Sequence, residues 1–288
     1  MQIFRKYSLI FLSIVIAISF LACNNSKVVT MEQLVCSDPP KMLSDKFIFT
    51  EGPCWLPQKK VWIFSDVPGN KIYQYDPKKG FSVFRDPSNF SNANLIDSDG
   101  NLVTAQHDRT ITRTDKNGKI SIIAKEYNGK KLNSPNDLVL ASNGDIYFTD
   151  PHFGLIGYGP EKAPEEQPVR GIYRLKKDGS IELLSGKLKI PNGLAFSPKE
   201  DVLYATNSTD GAIYKFDVKT DGTLTNFKLF TKQPIDKKKG QKPVGDGIKV
   251  DKKGNVYAAA PGGVAIYTPA GKLVGVISLP ESSSNLAW

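Results

Sequence analysis

Short apolar runs bounded by polar turns recur along the chain from about residue 50 onward, and no stretch sustains the 3.6-residue period of an amphipathic helix. One unit repeats. A polar residue opens a short apolar strand, a Gly or Lys turn follows, and a second strand ends in aromatic and β-branched residues. The copies read Glu51-Gly52-Pro53-Cys54-Trp55 before Val61-Trp62-Ile63-Phe64, and Asn92-Ala93-Asn94-Leu95-Ile96 before Leu102-Val103-Thr104-Ala105. Next, Asn136-Asp137-Leu138-Val139-Leu140 precedes Ile146-Tyr147-Phe148-Thr149, and Asn192-Gly193-Leu194-Ala195-Phe196 precedes Val202-Leu203-Tyr204-Ala205. The last is Asp246-Gly247-Ile248-Lys249-Val250 before Val256-Tyr257-Ala258. Most copies add a third strand, such as Gly171-Ile172-Tyr173-Arg174-Leu175.

The copies open at residues 51, 92, 136, 192 and 246, at intervals of 41, 44, 56 and 54 residues. Repeats of about 40–45 residues with three or four strands each are the signature of a β-propeller. The longer intervals contain loops. The largest, Pro151 to Arg170, carries Pro160, Pro164 and Pro168 and is expected to lie over one face. The predicted fold is therefore all-β, with an N-terminal segment over residues 23–48 and one propeller domain over residues 49–288. Ser284-Asn285-Leu286-Ala287-Trp288 is similar to the opening strand of a sixth copy, 39 residues after the fifth. The expectation is a six-bladed β-propeller lacking most of its last blade at the C-terminus. The alternative is that residues 28–49 supply the remaining strands, although they have room for about one.

Charge adds little to this picture. Lys and Arg number 38 against 29 Asp and Glu, a formal net charge of +9. The lysines sit mostly in turn pairs, as in Asp76-Pro77-Lys78-Lys79-Gly80 and Asp251-Lys252-Lys253-Gly254, where solvated residues belong. There is no Arg-rich helix and no interleaving of aromatic with basic residues, so nucleic acid is excluded as a partner.

The first residues point to targeting. Arg5-Lys6 precede an apolar stretch from Ser8 to Ala22, the length of a secretion signal and short for a membrane span. Residues 1–22 read as a signal peptide. Leu21-Ala22-Cys23 resembles a bacterial lipobox, in which Cys23 would be lipidated, although Phe20 stands where the lipobox usually has Leu. An ordinary signal peptide and an uncleaved anchor are the alternatives. The expectation is an exported protein of a bacterial cell envelope, lipid-anchored or periplasmic. Cys36 and Cys54 then remain, either paired or as two buried thiols.

The chemistry lies in the residues that open the copies. In a propeller the innermost strands line the channel, so Glu51, Asn92, Asn136, Asn192 and Asp246 are expected to converge at one mouth. All five offer oxygen, and the two carboxylates would balance one divalent cation. Oxygen donors of low charge suit Ca²⁺ or Mg²⁺, with Mn²⁺ or Zn²⁺ less well matched because Zn²⁺ favours His and Cys. Turn preference explains an occasional Asn before a strand, but neither a polar oxygen at every copy nor Glu51.

Glu51-Gly52-Pro53, Asn133-Ser134-Pro135-Asn136-Asp137-Leu138, Phe148-Thr149-Asp150-Pro151, Pro191-Asn192-Gly193-Leu194 and Gly245-Asp246-Gly247 resemble the SMP-30/gluconolactonase family, in this order and over nearly the whole chain from Phe49 onward. The resemblance implies a six-bladed propeller with a divalent metal, usually Ca²⁺, in its channel, and hydrolysis of sugar lactones. It implies that Glu51, Asn192 and Asp246 bind the metal, that Asp246 is also the general base, and that Asn136 contacts substrate beside the metal. Two departures concern sugar specificity. Some lactonase members have an Arg where Ser134 stands, and the Glu that they use on sugar hydroxyls after Asp150-Pro151 is not found. Gln106-His107-Asp108-Arg109 is similar instead to the Glu-His-Gly-Asn-Arg stretch of bacterial gluconolactonase-like members. His107 and His152, the only two histidines, join Asn92 as candidate substrate contacts.

The expected function is metal-dependent hydrolysis of a sugar lactone or related ester, the metal polarising the carbonyl and Asp246 taking a proton from water. A serine-hydrolase route lacks its Gly-x-Ser-x-Gly elbow. The alternatives are a phosphotriester or fluorophosphate hydrolase on the same ring, and a non-catalytic envelope-anchored propeller that keeps the metal for structure.

Overall fold

The computed structural model describes residues 29–35 and 38–288. The signal peptide, Cys23 and Cys36 lie outside the described residues, and with Cys36 the question of its pairing with Cys54. Residues 29–35 hold one 3₁₀ turn, Met31–Gln33.

From Thr50 onward the chain forms five four-stranded antiparallel sheets, each a meander in chain order. Blade 1 is Thr50–Leu56, Val61–Asp66, Lys71–Asp76 and Gly80–Arg85; blade 2 is Ser91–Ile96, Leu102–Gln106, Thr110–Thr114 and Ile120–Ala124. Blade 3 is Leu138–Leu140, Ile146–Asp150, Gly171–Leu175 and Ile181–Ser185; blade 4 is Pro191–Phe196, Val202–Asn207, Ala212–Val218 and Leu224–Lys232. Blade 5 is Ile248–Val250, Val256–Ala260, Gly263–Tyr267 and Leu273–Ser278. The first strands of successive blades lie side by side and line the channel. The chain is thus an all-β propeller, as the repeat spacing predicts. Each repeat opens on the innermost strand, and a fourth, outer strand completes every blade.

In blade 5 the second and third strands are apolar because both of their faces are covered. Val256–Ala260 and Gly263–Tyr267 are buried at every position, which a sheet sandwiched between neighbouring layers requires. Four apolar clusters fill the seams. Val103, Ile111, Ile146, Phe148 and Tyr173 join blades 2 and 3, and Tyr147, Ile172, Leu194, Leu203 and Phe216 join blades 3 and 4. Tyr204, Ile213, Ile248, Ala258 and Tyr267 join blades 4 and 5, while Ile63, Ile72 and Leu102 join blades 1 and 2. Burying one such Ile or Phe side chain stabilises the fold by about 1.5–3 kcal/mol. The charged turns are built from their own acids. Asp115 Oδ1 accepts from the backbone N–H of Asn117 at 2.8 Å and of Lys119 at 2.9 Å, and Asp251 Oδ1 does the same for Lys253 and Asn255 at 2.8 and 2.9 Å.

The sixth position of the ring is held by Ser284–Trp288, in line with the expected opening of a sixth copy. Ser284 accepts the Gly247 N–H at 2.8 Å and donates its hydroxyl to the Thr50 carbonyl at 2.5 Å, so it bridges blades 5 and 1. The N-terminal alternative gains no support from the described part of residues 28–49. Residues 38–49 form no strand, and Phe47 caps blade 1 by packing its ring on Phe64, Tyr73 and Phe81 at 4.8–5.1 Å.

Candidate active site

A local irregularity aims the opening residues at the channel. In blades 1, 2 and 4 the ladder between the first two strands shifts register between Glu51 and Cys54, Ser91 and Asn94, and Pro191 and Leu194. Each shift is a β-bulge that leaves two residues, Glu51's neighbours or the Asn92-Ala93 and Asn192-Gly193 pairs, opposite one, and it turns the strand locally. In blades 3 and 5 the register-paired ladder begins at Leu138 and Ile248, two residues past Asn136 and Asp246. All five opening residues line one cavity of about 250 Å³. Phe49, Val67, His107, Phe153, Tyr158 and Ser208 complete most of its wall.

Backbone and side-chain hydrogen bonds tie the ring from blade to blade. Asn94 Nδ2 donates to the Gly52 carbonyl at 3.0 Å, and the Ala93 N–H donates to the Asn136 carbonyl at 3.1 Å. Thr149 Oγ1 donates to the Asn192 carbonyl at 2.8 Å, and Thr206 Oγ1 to the Asp246 carbonyl at 2.7 Å. Asp137 points away from the cavity to accept the Leu194 N–H at 2.8 Å. Gly52, at φ +52°, sits so close to blade 2 that an added Cβ would collide with the Asn92 carbonyl.

Two carboxylates face each other here. Glu51 is buried, Asp246 is half-buried, and both line the cavity. Burial pushes the Glu51 carboxyl above its ordinary value, against the help of Asn285 and the Gly52 N–H. Burial raises Asp246 further, joined by the Glu51 and Asp137 charges, with Asn192 as the counteracting hydrogen-bond partner. No lysine or arginine lines the cavity among the described residues. A carboxylate pair with no basic side chain in the cavity wall, flanked by carboxamide oxygens, fits a divalent cation. No three His, Cys, Asp or Glu side chains form a group among the described residues, so the donor set is two carboxylates with amide oxygens, a hard-oxygen set.

The cavity gathers Glu51, Asn92, His107, Asn136, Asn192 and Asp246, but His152 is not part of its wall. His152 lies before the 3₁₀ turn Phe153–Leu155, its ring stacked on Phe153 at 5.7 Å and its charge environment set by Glu165 and Arg170. Ser134 is fully buried. Its hydroxyl donates to the Pro151 carbonyl at 2.9 Å and accepts the Gly154 N–H at 3.0 Å, fixing the turn that brings Phe153 to the cavity. An arginine could not occupy that space.

The sequence pattern missed four participants. Asn285 donates Nδ2 to Glu51 Oε2 at 2.9 Å, and Ser208 accepts from Asn192 Nδ2 at 3.1 Å. Phe153 and Tyr158 arrive on the long proline-bearing loop. The signal for Asn285 was its place at the head of the sixth copy; for Ser208 it was a hydroxyl just past the end of a second strand.

A channel-mouth ring of five oxygen-bearing residues, two of them carboxylates, on a propeller defines the class: a β-propeller with an oxygen-lined cavity at its channel mouth. Residues 49–288 match the SMP-30/Gluconolactonase/LRE-like region, and the chain belongs to that family. It is 34% identical over 262 residues to a gluconolactonase of Zymomonas mobilis subsp. mobilis, covering 84% of this chain and 73% of that protein. The solved structure of a gluconolactonase from Xanthomonas campestris matches with a TM-score of 0.78 and 34% identity, over 84% of this chain and 80% of that one. A lactonase drp35 of Staphylococcus haemolyticus is 25% identical over 264 residues, 86% of this chain and 75% of its own length.

Proposed function

We propose that this protein hydrolyses a lactone with the help of a divalent cation, Ca²⁺ by donor preference, held by Glu51, Asn192 and Asp246. The observation that carries the reading is the convergence of the facing carboxylates and the three asparagines on one small cavity. The lactonases among its relatives support it. When bound, the cation supplies Lewis-acid polarisation of the lactone carbonyl.

The chain's own groups do the rest. Asp246 accepts the proton of the attacking water as the new C–O bond forms. The same proton passes to the ring oxygen as the acyl C–O bond breaks, leaving a hydroxy acid. The Asn136 and Asn92 side chains, on the rim opposite Asp246's blade, orient the ester by hydrogen bonding. Phe49, Val67, Phe153 and Tyr158 form an apolar wall that seats the ring and excludes bulk water. A cavity of about 250 Å³ takes one small ring, below the usual ~300–1,000 Å³ of small-molecule sites.

The test is hydrolysis of an aldonolactone panel with and without EDTA. Asp246→Asn should lower kcat by ~10²-fold or more, within the range for loss of a general base. Turnover that survives both chelation and Asp246→Asn would end this reading, and turnover only of phosphotriesters would redirect it. Export belongs to the same proposal. Residues 1–22 direct the chain out of the cytoplasm and Cys23 carries the anchor, so Cys23→Ser should abolish lipid labelling and release the protein from the membrane fraction.

A further inference from the structure

Of the three asparagines on the cavity wall, only Asn192 has its side chain tied to a hydroxyl among the described residues. Its Nδ2 donates to Ser208 Oγ at 3.1 Å, and the same Oγ lies 2.6 Å from the Gly245 carbonyl oxygen. A hydroxyl carries one hydrogen and a carbonyl only accepts, so the Ser208 proton is committed to Gly245. What Ser208 turns to Asn192 is then a lone pair. Only the NH2 end of the carboxamide can meet it, since the opposite orientation would set two unprotonated oxygens against each other. The hydrogen count therefore fixes which way this amide points. Nδ2 has a second hydrogen, and Asn192 also steadies the Asp246 carboxylate as a hydrogen-bond partner, which only the NH2 end can do. Oδ1 makes no hydrogen bond among the described residues. It is not one of the sealed, unpartnered atoms of the interior either, so it opens on the cavity that Asn192 lines.

Ser208 occupies a place that the other blades fill differently. It stands three residues past Ala205, the ladder partner of Leu194. The same offset from the partners of Asn94, Leu138 and Ile248 leads to His107, Pro151 and Pro261, none of which carries a hydroxyl. The Asn136 side chain accordingly makes no hydrogen bond among the described residues, and Asn92 Nδ2 reaches only the Asn136 carbonyl, at 3.4 Å. Ser208 itself is held at its backbone, its N–H donating to the Ile190 carbonyl at 2.9 Å. We propose that Ser208 is a positioning residue: it holds the Asn192 carboxamide with its oxygen turned to the cavity, so that this donor is set before a divalent cation arrives. This rests on the cation reading above. A carboxamide without such an anchor presents its nitrogen, which has no lone pair to give a cation, as readily as its oxygen. It must also lose rotational freedom on binding. Partners that orient a metal ligand in this way carry about 10- to 100-fold in affinity.

Calorimetric titration of the full chain with Ca²⁺, repeated with Tb³⁺, tests this apart from turnover. Ser208→Ala should weaken the binding of both ions by about 10-fold or more, and Ser208→Thr, which keeps the hydroxyl, by much less. The loss should run through Asn192. In an Asn192→Ala background, where no carboxamide remains to be oriented, Ser208→Ala should change the affinity little, so that the double-mutant cycle shows coupling. Tb³⁺, with its extra charge, keeps binding measurable in that background. An equal loss in both backgrounds would overturn the proposal and leave Ser208 acting through the Gly245 carbonyl beside Asp246. A Ser208→Ala protein whose Tm in EDTA falls while its ion affinity stays at the wild-type value would also overturn it, because that is the mark of a purely structural hydroxyl. A wild-type protein that binds neither ion would overturn the cation reading itself and this proposal with it. Wild-type binding that Ser208→Ala leaves unchanged would overturn the role of Ser208 alone.

Discussion

The seam between blades 3 and 4 and the seam between blades 5 and 1 close the same ring by different physics. The first is an apolar core. Tyr147, Ile172, Leu194, Leu203 and Phe216 are all buried to 2% exposure or less, and Tyr147 meets Phe196 edge-to-face at 4.9 Å. The second is closed by hydrogen bonds. Ser284 links Gly247 to Thr50, Asn285 reaches Glu51, and the outer part of the seam is a cavity of about 430 Å³ bounded by Phe47, Trp62, Phe64, Tyr75 and Phe81. Apolar burial scales with area and resists local opening, whereas each exchanged hydrogen bond contributes only about 0.5–1.5 kcal/mol net. The ring is therefore weakest where Glu51, one of its two carboxylates, stands. The proposed cation ligand and the structural closure meet at the same residue.

That contrast can be broken at either seam. The largest effect belongs to the apolar one. Phe216→Ala should destabilise the fold by about 3–5 kcal/mol in denaturant titration while leaving the channel residues in place. Next comes the cation. Ca²⁺ at about 100 times its Kd should add about 2.7 kcal/mol, read as a rise in Tm that EDTA reverses. The amides of residues 284–286 should gain hydrogen-exchange protection with it, and a uniform gain across all blades would deny the special weakness of the 5–1 seam. Asn285→Ala should cost about 1 kcal/mol of stability and raise the concentration of Ca²⁺ needed for the Tm response. Equal cation response in wild type and Asn285→Ala would show that Glu51 is positioned without the last segment. The smallest change is expected for Trp288→Ala. Its ring touches Tyr257 at 5.0 Å but is 61% exposed, so about 0.5 kcal/mol is at stake.

Much of this arrangement was legible in the residues because a propeller repeats. The intervals between Glu51, Asn92, Asn136, Asn192 and Asp246 placed all five at the channel mouth, since each copy opens on its innermost strand. The bulges that turn Asn92 and Asn192 inward were not legible, because the apolar pattern reads the same with or without one extra unpaired residue. Nor was Asn285's hold on Glu51, a contact between residues 234 positions apart that no local pattern encodes. His107 and His152 look alike in sequence, each just after a second strand. They part because residues 153–159 fold back over His107, and that loop has no periodicity from which its path could be read.

The hydrogen bond from Asn285 to Glu51 also orders events in time. Every blade is a meander whose partners are close in sequence, so its strands can find one another early and quickly. Bringing residues 51 and 285 together closes a loop of nearly the whole domain, whose entropy is repaid only after the blades between them have formed. The carboxylate pair proposed to hold the cation is thus completed last as the protein folds. On a nascent or refolding chain, Ca²⁺ would capture the finished ring instead of nucleating it, so added Ca²⁺ should slow unfolding while leaving the folding rate nearly unchanged.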